Sequence, residues 1–73
     1  MSTIHKRREE VVLEFHSDRK TCIGKLTLRG WRSTRTMLEE FYKQLEYYEH
    51  VECDDGTIVN EYDIMFIKIT EEL

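Results

Sequence analysis

The sequence predicts a small two-layer α+β domain: a three- or four-stranded antiparallel sheet with one amphipathic helix across one face, in the order ββαββ. Three observations carry this. Apolar and polar residues alternate with period two across 9–16 and again across 21–29, apolar residues recur every three or four positions across 37–50, and a β-rich run fills 62–70.

In the first segment Val11, Leu13 and Phe15 share one face, and Val12, Glu14 and His16 share the other. Ser17 to Lys20 is a polar connection, after which Leu26 and Leu28 oppose Lys25, Thr27 and Arg29, so the two segments form an antiparallel hairpin. On this alternation Cys22 falls with Leu26 and Leu28, as a buried and inert thiol. Gly30 and the polar residues after it break the strand, and a helix is expected to begin between Thr34 and Thr36, with Thr36 and Glu39 as a capping box. Leu38, Phe41, Leu45 and Tyr48 are its expected inner stripe, and Glu39, Glu40, Lys43 and Glu46 its outer face. Asp55-Gly56 marks a turn, which leaves residues 51–60 as either a hairpin or a loop. In the last segment Met65, Ile67 and Ile69 lie opposite Ile64 and Phe66, the pattern of a central strand covered on both faces.

The chain has 73 residues and no proline, linker or internal repeat, so it reads as one domain over 1–73, with residues 1–8 as a flexible tail. A domain this short buries only about 60% of the surface its unfolded chain exposes. A single helix leaves one sheet face uncovered, and Val12, Ile64 and Phe66 on that face predict a homodimer interface. No apolar run approaches the roughly 20 residues that span a bilayer, and no apolar stretch follows the basic residues near the N-terminus, so no membrane partner is expected. Two unpatterned cysteines suit a reduced, cytoplasmic protein better than a secreted disulfide framework.

No catalytic constellation emerges. His50 and Cys53 lie three apart, with Asp54 and Asp55 beside them, but that spacing matches no nucleophile motif. His16, Cys22, His50 and Cys53 are zinc-type ligands without the paired short spacings of a zinc finger. The acids Glu52, Asp54, Asp55, Glu61 and Asp63 lack the ligand order of a calcium loop, and the three dispersed glycines build no phosphate loop. The expectation is a non-enzyme with no cofactor and no metal.

What remains is charge. The net charge of −4 conceals an asymmetry: residues 1–35 carry nine Lys and Arg against four acids, while residues 36–73 carry two against eleven. The acidic half predicts a partner-binding ridge of Glu39, Glu40, Tyr42, Glu46, Tyr47, Glu49, Asp54 and Asp55, with tyrosines as anchors set among carboxylates. Such a ridge can meet a basic protein surface, including one that otherwise grips nucleic acid. A regulator or inhibitor, encoded by a phage or mobile element, is the expectation from small size, acidity and missing catalytic machinery. The alternative is nucleic-acid binding by Arg19, Lys20, Lys25, Arg29, Arg32 and Arg35, with Trp31 as the stacking aromatic, although Trp31 reads first as a core or lid residue. Overall acidity opposes that alternative.

Overall fold

A computed structural model describes residues 8–72, so residues 1–7 of the expected tail lie outside the described residues. Strands β1 (Glu9–His16), β2 (Cys22–Gly30) and β5 (Phe66–Glu72) form one antiparallel sheet in the order β2-β1-β5. Helix α1 (Thr34–Tyr48) follows β2, and β3 (His50–Glu52) and β4 (Ile58–Asn60) make a separate hairpin before a 3-10 turn at Glu61–Asp63. This is the expected α+β class, with the hairpin reading of residues 51–60 realised.

The central strand is β1. Its Val11, Leu13 and Phe15 are wholly buried, because they lie under both the helix and the hairpin. Met37, Phe41 and Leu45 descend onto them from α1, and Phe41 stacks on Phe15 with ring centres 5.8 Å apart. Val51, Cys53 and Val59 close the same core from the hairpin. Gly24, opposite Phe15 on β2, permits this closure: a Cβ there would stand 2.5 Å from Cys53 Sγ and 3.0 Å from Val59 Cγ2.

Several local expectations change. The helix cap is Ser33, whose Oγ accepts from the Thr36 amide at 3.3 Å, one turn before the Thr36 box predicted from sequence. The inner stripe is centred on Met37, Phe41 and Leu45, so Leu38 is only half-buried and Tyr48 is 59% exposed. The last strand is an edge strand, since β5 pairs only with β1 among the described residues, and it starts late because a 3-10 turn absorbs Tyr62 and leaves Ile64 and Met65 ahead of it. Ile64 then packs against the core instead of facing outward with Phe66.

A bulge alters β2 as well. The register steps from Phe15 opposite Gly24 to His16 opposite Cys22, skipping Ile23. The step turns Ile23 toward the core and puts Cys22, predicted to be buried, on the open face as an exposed thiol. That open face is therefore charged rather than apolar. Register places Glu14 between Lys25 and Lys68, and Glu10 opposite Arg29, so Val12 and Phe66 do not merge into one patch.

Candidate functional site

The structure divides the predicted acidic ridge into three parts. In the first half of α1, Glu39 pairs with Arg35 at 3.3 Å across one helical turn, and Glu40 pairs with Arg32 from the preceding loop. At the hairpin turn, Asp54 is occupied structurally: its carboxylate accepts from the Thr27 amide at 3.1 Å and the Thr27 hydroxyl at 2.7 Å, while its own amide donates to the Lys25 carbonyl at 2.9 Å. These bonds hold the Asp54 carboxyl below its usual pKa, first through the hydroxyl and then through the amide. Asp55 tightens the same turn by accepting from the Thr57 amide at 3.0 Å, which lowers its pKa too, and Gly56 supplies a φ of 89°.

The third part lies where α1 ends. Glu49 caps the helix in the left-handed conformation at φ 61°, donating its amide to Leu45 at 2.8 Å and accepting from the Glu61 amide at 3.0 Å. Glu49 and Glu61 are thereby brought side by side, and with Tyr48, His50, Asn60 and Tyr62 they line a basin of about 440 Å³. Tyr47 and Tyr48 meet edge to face at 4.9 Å, and Tyr48 approaches His50, whose Nδ1 lies 2.8 Å from the Tyr48 carbonyl. Tyr47 and Tyr62 are 80% and 83% exposed. No ion pair among the described residues reaches Glu46, Glu49, Glu52 or Glu61, and the last helical turn holds no base. Carboxylates here add to the negative end of the helix dipole instead of balancing it.

No protein family, curated protein or solved structure matches this chain.

The acid and tyrosine pole thus keeps Glu46, Tyr47 and Glu49 from the predicted ridge and adds Tyr48, Glu61 and Tyr62. Sequence periodicity had assigned Tyr48 to the core and Tyr62 to a strand. The readable signal was a helix end carrying Glu46 and Glu49 where a base and a glycine are usual. Tyr42, also predicted as an anchor, lies on the far flank of α1, beside Leu38 and Glu39. A wider cleft of about 520 Å³ runs between β2 and α1, walled by Leu28, Arg29, Phe41 and Gln44.

The basic residues are dispersed. Arg19 and Lys20 lie in the β1–β2 turn, while Trp31, Arg32 and Arg35 lie beyond the opposite end of β2, roughly 25 Å away for a strand of that length. Between them Lys25 approaches Glu14 at 3.8 Å and Arg29 pairs with Glu10. Trp31 is 62% exposed, not a core residue. The four zinc-type ligands separate as well: His16 and Cys22 share the open sheet face, His50 lies at the helix end, and Cys53 is buried against Gly24. Burial pushes the Cys53 thiol above its ordinary pKa, with Asp55 and Asp54 adding to the effect, so at neutral pH it is held protonated.

Proposed function

We propose that this chain is a small non-catalytic regulator or inhibitor that docks a basic protein surface through the pole formed by Glu46, Tyr47, Tyr48, Glu49, Glu61 and Tyr62. One observation carries the reading: carboxylates without cationic partners among the described residues, together with exposed tyrosines, gather where stability alone would favour a base and a glycine. Places where a chain departs from locally favourable choices are where functional demands are expected. Tyrosines supply anchoring area at low entropic cost, and the surrounding carboxylates steer a basic partner and fix its register.

The nucleic-acid alternative loses ground, because Arg29, Arg32 and Arg35 are engaged with carboxylates and its two clusters are far apart. The reading extends to a cytoplasmic homodimer. With the open face charged, the route to a second copy is the outer edge of β5, where Phe66 and Ile69 remain about 40% exposed and which pairs with no other strand among the described residues. Light scattering that gives a mass near 8.9 kDa at every working concentration overturns the dimer.

A pull-down from native lysate followed by calorimetry tests the docking. The retained partner is expected to be basic, to weaken with rising salt, and to lose about tenfold in affinity on Tyr47→Ala. Reversal of Glu46 and Glu49 to Lys should abolish capture, whereas reversal of Glu39 and Glu40 should not. The opposite pattern refutes the pole as the docking site.

A further inference from the structure

The open face of the sheet holds a side-chain cluster that the docking pole does not use. Glu14 and His16 project from β1 two residues apart, and the β2 bulge delivers Cys22 directly across from His16. One ligand atom from each of the three lies within 4.8 Å of the others. An imidazole nitrogen, a thiolate sulfur and a carboxylate oxygen form a donor set suited to zinc and neighbouring divalent transition metals. Ligands held about 2.0–2.3 Å from a tetrahedral zinc lie roughly 3.3–3.8 Å from one another, so the set need contract by only about an ångström.

We propose that Glu14, His16 and Cys22 form a three-ligand site for a divalent transition-metal ion of the zinc type, with its fourth position open to water.

Two further observations point to a ligand. The His16 ring is already fixed: it stacks on Phe66 with centroids 4.6 Å apart and planes 6° from parallel, and Nε2 is directed at Glu14 Oε1 at 3.2 Å. Its Nδ1 is buried and has no hydrogen-bond partner among the described residues, so Phe66 and Glu14 alone set the ring and hold Nε2 toward the cluster. The bulge is the second. Regular pairing would set Ile23 across from His16 and leave Cys22 facing inward; the skipped residue exchanges them. Bulges commonly re-aim a side chain beside a functional site.

Among the described residues the Cys22 thiol makes one weak hydrogen bond, 3.5 Å to the Gly24 carbonyl, so little is lost when it turns to a metal. The ion replaces the thiol proton, which passes to solvent, and displaces Lys25 from Glu14. Lys25 and Lys68 both act electrostatically on Glu14, and Asp18 acts on His16, so two cations and one anion surround the ligands and moderate the affinity.

Cobalt(II) titration of the reduced full chain tests the site, because a cysteine ligand gives a thiolate-to-cobalt charge-transfer band that carboxylate and imidazole ligands alone do not. The expected result is one cobalt per chain, with that band, displaced by zinc. Cys22→Ser should abolish the band, and Glu14→Gln should weaken cobalt binding at least about tenfold. His50→Ala and Cys53→Ser should retain the band, with circular dichroism checking the fold of each variant. A wild-type chain without the band overturns the proposal, as does a band that survives Cys22→Ser or that disappears with Cys53→Ser in a folded chain.

Discussion

Two residues illustrate how single positions are decided by what they touch. Gly24 has no side chain because Cys53 and Val59 occupy the space one would take. Gly24→Ala is expected to lower stability by about 2 kcal/mol, read as a fall in urea midpoint at unchanged slope. Glu49 presents the reverse case, since the left-handed conformation it adopts costs a side chain about 1 kcal/mol that glycine avoids. Glu49→Gly should therefore raise stability by about 1 kcal/mol and the melting temperature by several degrees, while weakening capture of a basic partner. A variant that is more stable and binds equally well would show that Glu49 contributes only a turn.

At the level of elements, the β3–β4 hairpin is too short to stand alone and depends on its attachment to β2. Asp54 makes that attachment from both its carboxylate and its amide. Because the folded-state pKa of Asp54 is depressed, its stabilisation is complete above the unfolded value of about 4 and is lost as pH falls through the lower folded value. Asp54→Ala should cost about 1 kcal/mol near pH 6. The difference in urea midpoint between wild type and variant should then narrow below about pH 4; a difference that stays constant to pH 2 would refute the role of the charged form. Helix α1 depends on a similar local device, and Ser33→Ala should lower stability by about 1 kcal/mol through the lost cap.

Across the whole molecule, the charge asymmetry of the sequence is folded into a different distribution. Arg32 and Arg35 neutralise the first half of α1, and Glu10 and Glu14 answer the bases of β2, so among the described residues the carboxylates of α1 and its cap that have no ion pair, Glu46 and Glu49, lie at its far end. Among the described residues no helix is long and apolar enough to cross a membrane.

The sequence by itself determined the α+β class, the β1–β2 hairpin, the extent of α1 to within a few residues and the inward face of β1. Each of these follows from local periodicity, and periodicity survives folding when one face of an element is buried. Only the tertiary structure decided that β1 is central, that β5 is an edge, that Ser33 is the cap, and that Ile23 and Cys22 exchange faces. A one-residue bulge inverts every side chain beyond it, and the alternation of residues 21–29 holds no trace of where it falls. The candidate sites depended on the same distinction. Acidity was legible as composition, but which carboxylates lack partners depends on pairings between residues as far apart as Thr27 and Asp54 or Glu49 and Glu61, which no local pattern encodes.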